Sequence, residues 1–427
     1  MTDWQLTTHQ KCASCGDITV ELDPAVRCSC GGLLELVHPA PALSGAELRA
    51  LFETRWGMRD VANASGVWRY RELVLPNAGA DIVSYPEGGT PLLSRPRISA
   101  WTGLARLRIK HEGHNPTGSF KDRGMTVGVT QAKRIHAKAV ACASTGNTSA
   151  SLAAYAAQAE IPALVFVPAG QVALGKLAQS LAYGARTLLV QGDFDDCLRL
   201  AQEASDSLGV YLLNSINPFR VEGQKTIVIE MLHQLCWEVP DWIVLPAGNL
   251  GNTAAFGKAL VEAKAWGLID RLPRLAAIQA AGAAPFAQSY RTQFAERFRV
   301  KAETIATAIK IGDPASHERA VRAIRETNGV VIAVTDDAIL EAKAVVDGAG
   351  VGCEPASAAS IAGARALVLD GTIAPDASVV CVLTGHVLKD PGILIEYHQK
   401  REPAPPGANR PIEIEPDLRE VERAMKR

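Results

Sequence analysis

Short runs of apolar, often β-branched residues alternate along most of the chain with longer stretches in which apolar residues recur at helical spacing. The runs are 7 to 9 residues long and almost continuously apolar, which is typical of strands covered on both faces of a sheet. Ala-rich amphipathic stretches separate most of the runs and predict helices, for example at residues 148–160 and 195–209. The predicted strands are residues 104–110, 137–144, 162–168, 185–192, 241–248, 274–280 and 377–385.

This alternation predicts the α/β class, with open, mostly parallel sheets covered by helices on both faces. The strands are too numerous for one compact sheet, so two α/β domains are expected. Both ends of the chain depart from the pattern. Residues 1–75 form an extension that contains paired cysteines, and residues 401–427 form a proline-rich tail that ends in a short charged helix candidate.

Composition and charge mainly exclude partners. The 427 residues are 48% hydrophobic and 21% charged, as expected of a globular chain long enough for two domains. The formal net charge of -1 does not favour nucleic acid or an anionic membrane surface as a partner. No stretch approaches the roughly 20 apolar residues that span a bilayer, and the N-terminus lacks a signal-peptide pattern. We therefore expect a cytoplasmic protein.

The segment 111–124, HEGHNPTGSFKDRG, carries the most specific chemistry. Small residues around Pro116 and Gly118 predict a turn after a strand, so that Lys121 falls in the first turn of the next helix. A cation is disfavoured at the electropositive N-terminus of a helix, and a lysine neutralised as a Schiff base to a carbonyl removes this conflict. Taken alone, the segment is also compatible with an ordinary surface lysine after a polar loop.

A second segment, 245–260, places glycines and asparagines between a strand and a helix of small residues, in the sequence LPAGNLGNTAAFGKAL. Successive backbone N–H groups in such a turn bind a phosphate dianion. The segment lacks the lysine of a nucleotide P-loop and does not match GxGxxG. A plain loop rich in Gly and Asn is the alternative.

Two further segments complete a pattern. In 143–151, ASTGNTSAS, small hydroxyl residues surround Asn147 at a predicted helix start, where they suit a carboxylate or phenolate oxygen or, alternatively, only cap the helix. In 382–391, Thr384 ends a buried strand, and its hydroxyl either binds a ring nitrogen or only terminates the strand. All four segments lie where open α/β sheets bind ligands. Together they supply a covalent lysine, a phosphate loop, a hydroxyl-rich loop and a neutral ring partner, which is the set that pyridoxal 5′-phosphate (PLP) needs.

The motifs NPTGSFKDRG, STGNTSAS, GNLGN, EPASAAS and LTGHVLKDP resemble, in this order, those of the threonine synthases, which are PLP enzymes of the tryptophan-synthase-β-like family (fold type II). The resemblance covers roughly residues 80–395 and implies PLP in a cleft between two α/β domains. It implies a large domain from residues 76–121 and 211–400, a small domain from residues 122–210, and a homodimer. Val387 stands where the family has glycine, so we expect a different conformation of the loop after Thr384.

The resemblance also assigns roles to individual residues. Lys121 corresponds to the Schiff-base lysine that also transfers protons, Asn147 to the residue that binds the PLP phenolate oxygen, and Thr384 to the partner of the pyridine nitrogen. The residues expected to hold the PLP phosphate through their backbone are Gly248, Asn249, Leu250, Gly251 and Asn252. The residues expected to bind the substrate phosphate are Asn214, Ser215 and Arg220, since a guanidinium binds phosphate in a bidentate manner. The candidates for the substrate α-carboxylate are Ser144, Thr145 and Thr148.

The reaction implied by the resemblance converts O-phospho-L-homoserine and water to L-threonine and phosphate by γ-elimination and β-addition. Lys121 would remove the α-proton, PLP would store the electrons, and Arg220 would stabilise the leaving phosphate. A synthase that replaces the β-substituent of phosphoserine and a threonine or serine dehydratase are the nearest alternatives. The run 214–226 favours a phosphorylated substrate over those of the dehydratases. A PLP-binding protein without turnover is disfavoured because Lys121, Asn147, Arg220 and Thr384 are all intact.

The cysteines at positions 12, 15, 28 and 30 resemble two knuckles of a zinc ribbon. Four thiolates bind Zn²⁺ tetrahedrally and stabilise a segment too small for its own core, so Cys12, Cys15, Cys28 and Cys30 are candidate zinc ligands. The C-x-C pair departs from the usual C-x-x-C spacing. Metal-free packing or a small disulfide is the alternative, and a redox role is disfavoured because no βαβ pattern adjoins these cysteines.

Overall fold

Thirteen strands form three sheets within the residues that the structure describes, which are 6–170, 174–400 and 402–426 of this computed structural model. The first three strands form a small antiparallel sheet in the order β2-β1-β3, and the other two sheets are parallel apart from the edge strand β4. The strands are β1 (His9–Cys12), β2 (Ile18–Val20), β3 (Leu34–Val37), β4 (Leu92–Leu93), β5 (Arg106–His111), β6 (Ala139–Ala143), β7 (Ala163–Pro168), β8 (Arg186–Val190), β9 (Val210–Leu212), β10 (Trp242–Pro246), β11 (Arg274–Ala280), β12 (Val330–Val334) and β13 (Ser378–Leu383).

The expected α/β class with two mostly parallel sheets is confirmed. The larger sheet has the strand order β12-β11-β10-β13-β5-β4, and the smaller one has the order β8-β7-β6-β9. All seven predicted strands are present, with ends that differ from the prediction by at most two residues. The prediction missed β9 and β12 of the parallel sheets, the two-residue edge strand β4, and the N-terminal sheet.

Helices cover the two parallel sheets, and local sequence explains where several of them begin and end. In α7, Asp193 forms a capping box with Asp196, and Gly209 follows the last turn with a φ of 71°, a conformation that favours glycine. The α-helices are α1 (Gly45–Trp56), α2 (Val61–Ala64), α3 (Pro96–Thr102), α4 (Lys121–Arg134), α5 (Asn147–Gln158), α6 (Leu174–Ala182), α7 (Phe194–Leu208), α8 (Pro218–Gln234), α9 (Gly251–Ala265), α10 (Pro285–Arg291), α11 (His317–Glu326), α12 (Asp336–Gly348), α13 (Pro355–Leu369), α14 (Pro391–Ile395) and α15 (Leu418–Met425).

Each of the four predicted motifs follows the carboxyl end of a parallel strand. The strands β5, β10 and β13 lie in the larger sheet and β6 lies in the smaller one. Lys121 follows β5 through a turn, Asn147 follows β6, Gly251 follows β10, and Thr384 directly follows β13. Because side chains at the carboxyl ends of parallel strands emerge at the same edge of a sheet, this topology brings the motifs together.

The N-terminal sheet packs on the body of the protein through both apolar and charged groups. Val26 and Leu36 are buried in the same apolar core as Trp68 and residues of the smaller sheet. Glu35 forms an ion pair of 2.6 Å with Arg322 of α11. Further polar contacts join this region to α4, α8 and α11: Glu21 with Arg134, His38 with Glu222, and the Leu34 carbonyl with Arg319. These contacts fix the small sheet against helices that cover both parallel sheets.

A fully buried group of charges, the Arg123 cluster, joins α4, α8 and the end of β5. The guanidinium of Arg123 donates to Glu112 at 2.6 Å and to Glu230 at 2.7 Å. Lys110 donates to the same Glu230 carboxylate at 2.6 Å. Thr90 donates its hydroxyl to Glu112 at 2.7 Å. Each charge in this cluster therefore has an opposite charge or hydrogen-bonding partner, which buried ions require.

In the described part of the chain, no helix is long and apolar enough to cross a membrane. The domain boundaries at residues 75, 121, 210 and 400 stay a prediction, although the smaller parallel sheet falls within residues 139–212. The short helix α15 lies in the proline-rich tail, where the sequence predicts a charged helix, and none of its residues is buried.

Candidate active site

A cavity of about 1640 Å³ lies at the carboxyl ends of these strands. The predicted site residues in its wall are Lys121, Ser144, Thr145, Asn147, Thr148, Asn214, Ser215, Gly248, Asn249, Leu250, Gly251, Asn252 and Thr384. Arg220 and the four N-terminal cysteines are not part of the wall. The structure thus brings together thirteen of the residues that the sequence singled out, while the role of each one stays a prediction.

Lys121 is the first residue of α4 and is partly buried in the cavity wall. The turn before it is held by backbone pairing with the loop after β13: Phe120 N–H donates to the Thr384 carbonyl at 3.0 Å, and His386 N–H donates to the Gly118 carbonyl at 2.9 Å. Ser119 and Gly385 form an antiparallel bridge between these two contacts. The backbones that carry Lys121 and Thr384 are therefore joined directly.

The environment of Lys121 favours its neutral form. Burial and the nearby Arg220 guanidinium lower the pKa of Lys121 to about 7, while Glu354 acts in the opposite direction. The Nζ atom lies 4.4 Å from the centroid of the Phe120 ring. An amine with a pKa near 7 can act both as a nucleophile towards a carbonyl and as a base at neutral pH.

The loop between β10 and α9 has the features of a phosphate site. Leu250 precedes α9 with a φ of 64°, and no side chain caps the helix, so its first N–H groups are available to a ligand. Asn249 holds the loop in place, because its side-chain amide donates to Ser215 Oγ at 2.5 Å and accepts from Ala315 N–H at 2.6 Å. Gly248 is required by close packing, since a Cβ there would lie 2.8 Å from Ile309 Cα.

Several buried polar atoms near this loop have no hydrogen-bond partner among the described residues. They are Asn252 Oδ1, Thr253 Oγ1, Gln224 Oε1 and Ser316 Oγ. Buried polar groups are almost always hydrogen-bonded, so a group of unpartnered ones beside an uncapped helix start indicates a polar ligand. These atoms and the free N–H groups of α9 fit the phosphate of PLP.

Glu354 connects the two residues expected to contact the cofactor ring, and the sequence reasoning gave it no role. Asn147 Nδ2 donates to one carboxylate oxygen of Glu354 at 2.9 Å, and the Thr384 hydroxyl donates to the other at 3.2 Å. Ser357 also lies 3.0 Å from the Thr384 hydroxyl. Burial raises the pKa of the Glu354 carboxyl. The sequence feature that could have identified Glu354 is the motif EPASAAS, in which Glu354 precedes Pro355 at the start of α13.

The loops after β6 and β9 form another part of the wall. Asn214 pairs with the backbone of Ala143 in both directions, accepting from its N–H at 3.0 Å and donating to its carbonyl at 3.2 Å. Its amide is therefore used in joining the two loops. Ser144 accepts from Gly146 N–H at 3.3 Å, and the residues from 144 to 148 surround the N-terminus of α5. This arrangement presents hydroxyl groups and free N–H groups, which suits a carboxylate.

Arg220 is fully buried behind the cavity wall. Its Nη1 donates to the Leu213 carbonyl at 2.9 Å, whereas Nε and Nη2 have no partner among the described residues. Burial lowers the pKa of this guanidinium to about 10. A buried guanidinium without a carboxylate partner favours a nearby anion. The prediction that Arg220 binds phosphate is compatible with these free donors, although Arg220 itself is not part of the cavity wall.

Val387 does not strain the loop that contains it. The residue begins a short 3₁₀ turn, Val387–Lys389, and it is not among the residues with positive φ in the described chain. Glycine's conformational freedom is therefore not needed at this position. The backbone of this loop accommodates valine without requiring a special conformation. The expectation that the loop differs from that of the family stays a prediction.

The four N-terminal thiols lie together. All four Sγ atoms are within 4.8 Å of one another, with Cys12 and Cys30 at 3.5 Å and Cys15 and Cys28 at 3.6 Å. These distances are too long for a disulfide of about 2.05 Å, and all nine cysteines are free, so the small-disulfide alternative is not present in the structure. Sulfur ligands at about 2.3 Å from one tetrahedral zinc are about 3.8 Å apart, which matches this cluster.

Comparisons with known proteins agree with this geometry. A family model described as pyridoxal-phosphate dependent enzyme matches residues 83–385. The threonine synthase of Methanocaldococcus jannaschii is 44% identical over 420 residues, which cover 98% of this chain and 99% of that protein. The threonine synthase of Methanosarcina acetivorans is 46% identical over 391 residues, covering 91% and 94%. The structure of threonine synthase from Escherichia coli matches with a TM-score of 0.69 at 18% identity, covering 91% of this chain and 90% of that one, and supports the fold.

Proposed function

This chain belongs to the pyridoxal-phosphate-dependent enzymes and, among them, to the threonine synthases, and we propose that it converts O-phospho-L-homoserine and water to L-threonine and phosphate with Lys121 as its catalytic base. The observation that carries the proposal is the convergence of four separate motifs on one cavity, with Lys121 and the loop before α9 in the same wall. Similarity over almost the whole chain supports the same reaction.

The described residues fit PLP. The uncapped start of α9 and the unpartnered polar atoms beside it would hold the phosphate, and Lys121 would hold the cofactor covalently. Asn147 and Thr384 would contact the ring, positioned by Glu354. When bound, the cofactor supplies an electron sink that stabilises negative charge at the substrate Cα.

The residues of the chain divide the remaining tasks. Lys121, once displaced from the cofactor by the substrate amine, would take the α-proton onto Nζ, which its lowered pKa favours. The hydroxyl and N–H groups at residues 144–148 would orient the substrate carboxylate. Ser215 and Arg220 would bind the phosphate and stabilise its charge as it leaves. One lysine can serve several proton transfers because its pKa lies close to neutral pH.

The test of the function is product analysis with the purified PLP-containing protein. O-phospho-L-homoserine should give L-threonine and phosphate in equal amounts. O-phospho-L-serine with a sulfur nucleophile, L-threonine and L-serine serve as alternative substrates. Turnover of one of these, with none on O-phospho-L-homoserine, would assign the chain to a sister reaction and contradict the proposal.

We expect PLP incorporation into the apoprotein to become faster as pH rises through about 7 and to level off above about pH 8. The neutral amine is the reactive form, and the pKa of Lys121 is about 7. An ordinary lysine with a pKa of about 10.4 would be neutral in fewer than about one molecule in a thousand at pH 7. Stopped-flow absorbance at a series of pH values measures the midpoint without requiring turnover.

The substitution Arg220→Gln should move this midpoint to higher pH, since the Arg220 charge lowers the pKa of Lys121. Arg199→Gln is the matched control, because Arg199 lies in the cavity wall but is exposed and paired with Asp196 and Glu203. A wild-type midpoint near 10, or an identical shift in both variants, would show that Arg220 does not set the basicity of Lys121.

We also propose that Cys12, Cys15, Cys28 and Cys30 bind one structural zinc ion. Backbone N–H groups support two of the sulfurs, since Ser14 N–H donates to Cys12 at 3.4 Å and Gly32 N–H donates to Cys30 at 3.4 Å. Protein purified without chelator should contain one zinc per chain by elemental analysis. Cys28→Ser should lower this content, whereas Cys236→Ser, at an exposed cysteine elsewhere, should not. Substoichiometric zinc in both proteins would favour the metal-free alternative.

The resemblance to the threonine synthases further supports a homodimer and a cytoplasmic enzyme. Light scattering coupled to size-exclusion chromatography tests the first of these predictions, since a dimer of this 45.4 kDa chain has twice the mass of a monomer. Cell fractionation tests the second. A monomeric mass in the active protein would contradict the dimer.

A further inference from the structure

The N-terminal sheet contributes a charged residue to the cavity. Arg27 lies in the cavity wall together with Lys121 and the loop before α9, although it is more than 90 residues from either in sequence. Its side chain is also exposed to solvent, which places it at the rim of the cavity. The sequence reasoning did not select Arg27, because an exposed arginine beside a cysteine is a common surface feature.

Two anchors fix the backbone on either side of Arg27. On one side, Val26 is 3% exposed and packs in the apolar core shared with the smaller parallel sheet. On the other side, Cys28 belongs to the thiol cluster. The turn between them is closed by Gly31 N–H, which donates to the Cys28 carbonyl at 2.8 Å, and by Cys28 N–H, which donates to the Gly32 carbonyl at 3.0 Å. The direction of the Arg27 side chain therefore depends on the geometry of the thiol cluster.

The guanidinium of Arg27 has no carboxylate partner among the described residues. Its Nη1 donates to the Gly31 carbonyl at 2.9 Å, which orients the group and leaves other N–H donors available. Arg199, in the same cavity wall, differs because it pairs with Asp196 at 3.2 Å and with Glu203 at 2.8 Å. An oriented and unpaired guanidinium at the rim of a cavity is suited to attract and bind a phosphate dianion.

We propose that Arg27 binds the phosphate of the substrate at the rim of the cavity, and that the metal-bound thiol cluster holds Arg27 in position. This inference rests on the proposed function, from which it takes the phosphorylated substrate and the zinc ion bound by the thiol cluster. It gives the N-terminal sheet a role in substrate affinity, because loss of the metal releases one of the two anchors of Arg27. The position at the rim is distinct from the position near Ser215 and Arg220. Arg27 acts when the substrate enters the cavity and when the product phosphate leaves it.

The holoenzyme with Arg27→Gln should show a kcat/KM for O-phospho-L-homoserine that is lower by roughly tenfold, mainly through a higher KM. This factor is at the low end for a charge-assisted hydrogen bond, because Arg27 is exposed. The inhibition constant of inorganic phosphate should rise by a similar factor, and the dependence of kcat/KM on salt should weaken. Arg27→Lys, which keeps the charge, should retain most of the affinity, and Arg199→Gln should resemble the wild type.

The same proteins test whether the metal acts through Arg27. Zinc removal from the wild-type holoenzyme by a chelator should raise the KM and the phosphate inhibition constant as Arg27→Gln does, and zinc removal from Arg27→Gln should add no further change. Cys30→Ser provides an independent way to disrupt the cluster, and circular dichroism identifies any variant that has unfolded. If zinc removal weakens phosphate binding equally in the wild type and in Arg27→Gln, the metal does not act through Arg27.

Direct titration with inorganic phosphate separates this proposal from the proposed function, because the titration needs no turnover. Weaker phosphate binding by Arg27→Gln but not by Arg199→Gln supports the rim site even in a protein that does not use O-phospho-L-homoserine. Equal phosphate binding by the wild type and Arg27→Gln overturns it even when threonine is produced.

Discussion

Lys121→Ala is expected to lower kcat for threonine formation by at least roughly 10³-fold, the largest effect that we predict on activity. The substitution removes the amine that we propose to hold the cofactor and to receive the α-proton. The turn between β5 and α4 is paired to the loop after β13, and this turn leads to no lysine other than Lys121. Phosphate release and amino-acid analysis measure the loss, and the absorption spectrum of the bound cofactor should change as well.

The matched control for Lys121→Ala is Lys133→Ala. Lys133 lies in the last turn of the same helix α4, is exposed, and forms a 3.8 Å ion pair with Asp81. It should retain wild-type activity and the wild-type cofactor spectrum. Substantial turnover by Lys121→Ala in correctly folded protein would show that another group is the catalytic base.

Arg123→Met is expected to lower the free energy of unfolding by about 3–5 kcal/mol, the largest effect that we predict on stability. Arg123 is fully buried and donates to both Glu112 and Glu230, so its loss leaves Glu112 without a cationic partner in the described chain. Among the described residues, Glu230 would keep Lys110 as its ion-pair partner and the N–H groups of Gly89 and Thr90 as hydrogen-bond donors. Urea unfolding followed by circular dichroism measures the difference. The control is Arg199→Met, which removes two exposed ion pairs and should lower the free energy of unfolding by less than about 1 kcal/mol.

The pH dependence of the Arg123 cluster gives a second check. Burial alone would raise the pKa of Glu112 and of Glu230, but the charges of Arg123 and Lys110 together outweigh burial, and both pKa values lie below their ordinary value. Carboxyls with a lowered pKa stabilise the fold above their unfolded pKa of about 4.3, and this contribution is lost as pH falls through the folded values. In Arg123→Met the buried carboxyls are more easily protonated. The difference in the free energy of unfolding between this variant and the wild type should therefore shrink towards pH 4. A deficit independent of pH would mean that lost packing, and not charge, dominates.

The sequence predicted the parts of the fold that depend on local pattern. Continuous apolar runs identified seven strands, and the turn residues around Gly118 and Gly251 placed two functional segments at helix starts. The strand Val210–Leu212 was missed because three residues are too short for a period to be recognised. The strand Val330–Val334 was missed although its apolar run is as long as those of β6, β8 and β10. Strand order could not be predicted, because it depends on contacts between segments that are far apart in the chain.

The candidate site was predictable where one motif carries the chemistry and not where two distant segments meet. Glu354 lies beside Asn147 through a hydrogen bond that spans 207 positions, and nothing near Glu354 in sequence indicates this neighbour. Arg27 depends in the same way on how the N-terminal sheet packs. For Arg220, the residue type and motif were enough to predict phosphate binding. Its complete burial could not be predicted, because that depends on the packing of α8.

The backbone pairing between residues 118–120 and residues 384–386 limits how this enzyme can diverge. An inserted or deleted residue in either loop would displace Lys121 and Thr384 together, so we expect a length change in one loop to require a compensating change in the other. Side chains in these loops can vary more freely than loop length, as the unstrained Val387 illustrates. Descendants with new substrates are therefore expected to keep both loop lengths and to change the wall formed by residues 144–148 and 214–215.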